Sequence, residues 1–153
     1  MKLIVLSPNL HLIFNDEQRR LLGNAFDSVE YYSVIQPIQE ISLLADSSDK
    51  IVAIDPDFCG WKITREDIDF MQHVHGICLQ TTAFHYIDTI YLKEKGIPVT
   101  NLRGFSTNAV AEEAMLMIFA LARKLPMVIK DKFTTNFEKF RGMELFGKKI
   151  GII

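Results

Sequence analysis

Cysteine is nearly absent: Cys59 and Cys78 are the only two in 153 residues. Their spacing fits no metal-ligand pattern and cannot support a disulfide framework, so structural zinc and the small secreted scaffolds are excluded. Two buried or half-buried free thiols suit a reducing compartment, and a cytoplasmic protein is expected. Charge of one sign is lacking as well. Seventeen Lys and Arg face nineteen Asp and Glu, a net charge of -2, which gives no footprint for nucleic acid or an anionic membrane. Long apolar runs are missing too. The longest, Ala114 to Ala122, falls far below the ~20 residues of a membrane span. The N-terminal MKLIVLSPN is too short an apolar stretch for a secretion signal and reads as a first strand. There is no internal repeat and no low-complexity tract.

What is present is an alternation of strand and helix signals over the first hundred residues. Leu3 to Leu6 is a short buried-strand run. Asn15 with Gln18 forms a capping box and opens a helix through Leu21 and Leu22. VEYYSV, residues 29–34, is β-branched and aromatic and reads as a second strand. Pro37 then opens a helix through Leu43 and Leu44. Ile51 to Ile54 is the third strand, Thr64 with Asp67 caps a short helix, and Val74 to Leu79 is the fourth strand. A helix from about Ile87 stops at Gly96, before a fifth strand from Ile97 to Thr100. The predicted fold class is α/β: a flavodoxin-like five-stranded parallel sheet with helices on both faces.

Residues 106–124 carry the strongest helical signal. Glu112 and Glu113 sit near its start and Arg123 and Lys124 at its end, matching the helix dipole, and Pro126 marks the stop. Between them AMLMIFALA is apolar all round, so the helix is expected to be buried on every side, in a large domain or against a partner subunit. Residues 126–149 read as an extended arm. Lys149 to Ile153 reads as the start of another buried strand, an exposed edge unless something covers it.

Three segments together resemble the D-isomer-specific 2-hydroxyacid dehydrogenase family. They are QTTAFHYID at 80–88, KGIPVTN at 95–101 with RGFSTNAVAE at 103–112, and RGMEL at 141–145 with GKKIGII at 147–153. The resemblance implies a substrate-binding domain over residues 1–101. Residues 102–153 would then be the leading part of a Rossmann domain: dimerisation helix, arm and first strand, stopping short of the GxGxxG fingerprint. It further implies that backbone N–H groups of Thr82, Ala83 and Phe84 hold the substrate carboxylate, at the carboxyl end of a parallel strand and close to a helix N-terminus. Relatives often have Gly where Ala83 stands and Asp where His85 stands. Ser106 lies where relatives place a residue near the substrate, and it equally suits an N-cap. Thr107 and Asn108 would lie near the nicotinamide. The implied reaction is reversible reduction of a small 2-keto acid to a D-2-hydroxy acid with NAD or NADP, in a homodimer joined through the Ala109 to Arg123 helix.

Hydride transfer needs a held pyrophosphate, a cation to polarise the carbonyl and a proton donor. No GxGxxG occurs in the 153 residues, and His11, His73, His75 and His85 match no catalytic position of the family. No catalytic residue, no metal ligand and no tight cofactor binding is therefore expected of these residues. Two other readings compete. A dimerising fragment without activity fits the same helix. A receiver-type signalling domain would use Asp55 as phosphoacceptor, but it needs further carboxylates after the first strand, where SPN stands at 7–9. A flavodoxin-like electron carrier would need a phosphate loop at that place, and SPNLHL is a poor one.

Overall fold

A computed structural model describes every residue except Thr135, Phe137 and Ile153. The chain divides into two compact units, Met1–Gly104 and Phe105–Ile153. The first holds five strands, β1 (Lys2–Leu6), β2 (Ser28–Tyr32), β3 (Lys50–Ile54), β4 (Val74–Leu79) and β5 (Val99–Thr100). All pairs are parallel, in the order β2-β1-β3-β4-β5. That is the flavodoxin-like order, with its reversal between β1 and β3. The register sets Leu6 beside Ile54 and Ile54 beside Leu79, so the loops after β1, β3 and β4 leave the sheet side by side.

The main core cluster lies on one face of the sheet, while Leu3 and Val5 are buried on the other. Ile4, Leu6, Val52, Ile54, Ile77 and Leu79 point to that cluster at the alternating positions a strand requires. Five helices belong to this unit: α1 (Leu10–Ile13), α2 (Asp16–Ala25), α3 (Ser42–Ala45), α4 (Arg65–Phe70) and α5 (Thr89–Glu94). The predicted caps form. Gln18 N donates to Asn15 Oδ1 at 2.8 Å and Asn15 N to Gln18 Oε1 at 3.0 Å, and Thr64 and Asp67 cap α4 in the same way. After Pro37 the single predicted helix is instead a 3-10 turn, Ile38–Glu40, followed by α3. The reason is the spacing of the buried Ile38, Ile41 and Leu44. A period of three suits tight turns, whose side chains align every third residue, better than an α-helix.

In the second unit α6 (Thr107–Ala122) is followed by α7 (Leu125–Lys130), which corrects the expectation of an extended arm from residue 126. Lys124 turns the chain in a left-handed conformation (φ 54°), and Pro126 stands in the first turn of α7. Its missing N–H is no loss there, so the proline opens a helix as well as marking the end of one. The chain then returns to α6. Met143 N donates to Ala122 O at 2.9 Å, and a Cβ at Gly142 would collide with that carbonyl and lie 2.9 Å from Arg123 Cα. Of the α6 residues only Ala122 is buried. Val110, Met115, Leu116, Met117, Phe119 and Leu121 are exposed, so the described residues of this unit do not supply the expected all-round burial. The strand expected at Lys149–Ile153 is not formed over 149–152, and Ile153 lies outside the described residues. A strand exists only through pairing, and among the described residues nothing pairs with this segment; Ile152 is 97% exposed.

Candidate functional site

The crevice at the carboxyl ends of β1, β3 and β4 gathers the unit's polar chemistry. At the order reversal, buried Ser7 donates from Oγ to Asp55 Oδ2 at 2.6 Å. Asn9 N donates to the same Ser7 oxygen, and Asp57 N to Asp55 Oδ1. The pair therefore staples the first two loops together. Asp55 is thus engaged by Ser7 and by the Asp57 N–H, and among the described residues no group of three His, Cys, Asp or Glu side chains is placed to hold a metal ion.

Beyond Asp55 the chain takes two successive left-handed residues, Gly60 (φ 60°) and Trp61 (φ 58°). A bulky residue is strained there. Trp61 is fixed by Nε1 donating to Asp57 Oδ1 at 2.9 Å. Its ring stacks on His85 at 6.2 Å and meets Tyr86 edge-on at 5.6 Å, while Ile63 N donates to Tyr86 O at 2.8 Å. The loop after β3 and the loop after β4 are thus zipped together by rings and backbone. The Tyr86 hydroxyl is buried and has no hydrogen-bond partner among the described residues. Burial, reinforced by nearby Cys59 and Asp55, pushes its pKa far up, so it stays a neutral phenol. Burial likewise pushes the free, half-buried thiols of Cys59 and Cys78 up.

Three contacts hold Thr81, Thr82 and Ala83 in the loop after β4. Ala83 N donates to Thr81 Oγ1 at 3.2 Å, Asn101 Nδ2 donates to Thr82 O at 2.7 Å, and Leu102 N donates to Thr81 O at 3.0 Å. Among the described residues the N–H groups of Thr82 and Phe84 donate to no protein acceptor. The Phe84 ring is 55% exposed and borders a recess of about 170 Å³ with Leu79, Val99 and Asn101. Thr82, Ala83 and Phe84 stand at the carboxyl edge of the sheet, and among the described residues two of their three N–H groups have no acceptor. The expected contribution of a helix N-terminus is not available. α5 starts only at Thr89, and its first turn is taken by its own Asp88, which accepts from Tyr91 N at 2.9 Å and pairs with Arg65 at 2.6 Å. The N–H donors and an internal carboxylate already satisfy one another there.

Ser106, Thr107 and Asn108 belong to the second unit. Ser106 occupies the N-cap position of α6 without a side-chain cap bond, and Thr107 and Asn108 are the first, exposed residues of that helix. A dinucleotide needs a strand running into a Gly-rich turn and a helix, and among the described residues the second unit has no strand. Among the described residues the His–carboxylate contact is His75 Nε2 with Asp49 Oδ1 at 2.8 Å, at the amino end of β3 and β4, the edge opposite the loops. No described helix is long and apolar enough to cross a membrane.

Sequence reasoning did not single out Asn101, Trp61 or the Ser7–Asp55 staple. Asn101 was within reach, since it ends the GIPVTN segment on which the resemblance rests; the other two depend on contacts between residues 48 and 24 positions apart in the chain.

Comparison with known proteins places residues 5–145 in the profile of the D-isomer specific 2-hydroxyacid dehydrogenase catalytic domain. A Staphylococcus aureus protein named as a 2-hydroxyacid dehydrogenase is 31% identical over 139 residues, 88% of this chain and 43% of that protein. A Staphylococcus saprophyticus protein of the same name is 35% identical over 96 residues, 60% of this chain and 30% of that one. Among solved structures, an acyclic imino acid reductase in complex with NADPH and D-Arg superposes with a TM-score of 0.76 at 22% identity, over 95% of this chain and 46% of that chain. The D-lactate dehydrogenase of Aquifex aeolicus complexed with NAD and lactic acid gives 0.68 at 23%, over 95% and 41%. The chain thus spans less than half the length of these relatives.

Proposed function

The chain belongs to the D-isomer specific 2-hydroxyacid dehydrogenase family, and from that premise we propose that it is the substrate-binding portion of an NAD(P)-dependent enzyme acting on a small 2-keto or 2-hydroxy acid. One observation carries the reading. The loop after β4 holds Thr82, Ala83 and Phe84 at the carboxyl edge of a parallel sheet, with the N–H groups of Thr82 and Phe84 uncommitted. Backbone N–H groups suit a carboxylate because two such donors can each take one oxygen, and charge-assisted bonds of that kind are the stronger ones. A carboxylate is also a better acceptor than the Thr81 hydroxyl, so the Ala83 N–H is a third donor once Thr81 yields it.

On this proposal Met1 to about Asn101 form the substrate lobe, and the following residues form the opening of a dinucleotide domain. Ser106 lies near the substrate and Thr107 and Asn108 near the nicotinamide only in a complete enzyme, and the two free, half-buried thiols suit a cytoplasmic, reducing setting. No hydride-transfer step is assigned to the residues present. The 153 residues alone bind the acid and not the dinucleotide. Calorimetric titration of the chain with pyruvate, pyruvamide and NADH tests this. Binding heat with pyruvate alone is expected. Equal binding of pyruvamide would remove the carboxylate from the account, and tight NADH binding would show a cofactor site that the residues described above do not form.

The second reading, a dimerising fragment without activity, draws on the exposed apolar side chains of α6. It is compatible with acid binding and separable from it by the same titration.

A further inference from the structure

Two hydrogen bonds reach the loop after β4 from the residues that follow β5, and both end on carbonyl oxygens: Leu102 N on Thr81 O at 3.0 Å and Asn101 Nδ2 on Thr82 O at 2.7 Å. A peptide unit is planar, and no described peptide bond is cis, so the carbonyl of one residue and the N–H of the next share a plane and point in opposite directions. The bond to Thr81 O therefore fixes the direction of the Thr82 N–H, which faces away from residue 102. The bond to Thr82 O fixes the plane that carries the Ala83 N–H, and that N–H is held at its other end by Thr81 Oγ1 at 3.2 Å. The middle peptide of the loop is thus pinned at both ends, and one free donor stands on each side of it, at Thr82 and at Phe84.

We infer that Asn101 is a positioning residue for the substrate carboxylate: its amide locks the Thr82–Ala83 peptide so that the N–H donors around it are aligned before the acid arrives. This rests on the reading of the loop as the carboxylate site. Asn101 does not touch the acid. Its contribution has two physical parts. Orientation is settled in advance, which lowers the entropy lost on binding. A donor on a carbonyl also polarises the N–H of the same peptide, which strengthens that N–H as a donor. An amide is suited to the task because it presents N–H donors on a short, planar side chain. Of the two hydrogen bonds that reach the loop from the residues after β5, only this one comes from a side chain, so a substitution can remove it while leaving the backbone of β5 intact.

The experiment is calorimetric titration of the full 153-residue chain with pyruvate and pyruvamide, comparing wild type with Asn101→Ala and Asn101→Leu. Leucine keeps the volume of the side chain without a donor, and it carries the comparison if the alanine variant fails to fold. The expected result is pyruvate binding about tenfold weaker in the variants, as for the loss of one useful hydrogen bond. The preference for pyruvate over pyruvamide shrinks with it, while the thermal midpoint stays at the wild-type value. A merely structural asparagine would move the midpoint and leave the preference alone. Wild-type-like pyruvate affinity in a folded variant overturns the role of Asn101 and leaves the loop reading standing. Failure of the wild-type chain to bind pyruvate overturns the loop reading, and this role falls with it.

Discussion

Lys50 shows how a single charge is accommodated at the start of a central strand. It is fully buried, and its Nζ donates to Asp46 O at 2.8 Å and Gln72 O at 2.7 Å, with the Asp46 carboxylate 3.0 Å away. Hydrogen bonds from Ser48 and then Lys50 hold the Asp46 carboxyl well below the usual carboxylate range. A depressed carboxyl pKa contributes stability that is complete above the unfolded value of about 3.9 and is lost as pH falls toward the folded value. Asp46→Asn is therefore expected to lower the urea midpoint at pH 7, with a deficit that narrows steadily as the pH is taken below about 4. A deficit that stays constant down to pH 2 would assign the effect to packing. Gly142 is the other residue whose identity the structure explains. Its Cβ-free approach to Ala122 and Arg123 accounts for the glycine in the RGMEL segment on grounds of space. Gly142→Ala should cost about 1–3 kcal/mol of local stability, the range for overpacking. Hydrogen exchange reads this directly: the Met143 amide, bonded to Ala122 O, should lose protection while the amides of β1 and β3 keep theirs.

At the scale of elements, strands and caps were legible in the sequence because their causes are local. Leu3 to Leu6, Ile51 to Ile54 and Val74 to Leu79 announce buried parallel strands by composition alone. Asn15 with Gln18 and Thr64 with Asp67 announce helix starts by a spacing of three. The break at Ile41 is also written there, in the three-residue period of Ile38, Ile41 and Leu44, although Pro37 and the leucines alone suit a single helix. α7 was hidden because Pro126 can close one helix or open the next, and only the left-handed turn at Lys124 decides between them. The segment from Lys149 reads as a strand by composition, but a strand depends on a partner that its own residues cannot specify. The candidate site divides in the same way. The carboxylate loop came from its resemblance to a known family, the Ala83–Thr81 contact from neither composition nor spacing, and the Asn101 pin from the folded register alone.

At the scale of the whole molecule, the exposed apolar residues of α6 need a cover. Met115, Leu116, Met117, Phe119 and Leu121 lie along one helix, and contiguous exposed apolar surface of that extent marks an interaction surface. A second copy meeting it through the segment Ala109 to Arg123 is the proposed arrangement. Sedimentation at micromolar concentration should give a dimer for the wild-type chain and a monomer for Phe119→Lys; a wild-type monomer would remove the proposal.

The central claim is that a carboxylate is held by the backbone of residues 82–84 in the first unit. Amide-resolved NMR of the 15N-labelled chain during pyruvate addition tests it most directly. The account predicts saturable shifts concentrated at Thr82, Ala83 and Phe84, absent with pyruvamide. Shifts centred elsewhere, or none at millimolar pyruvate, would contradict it.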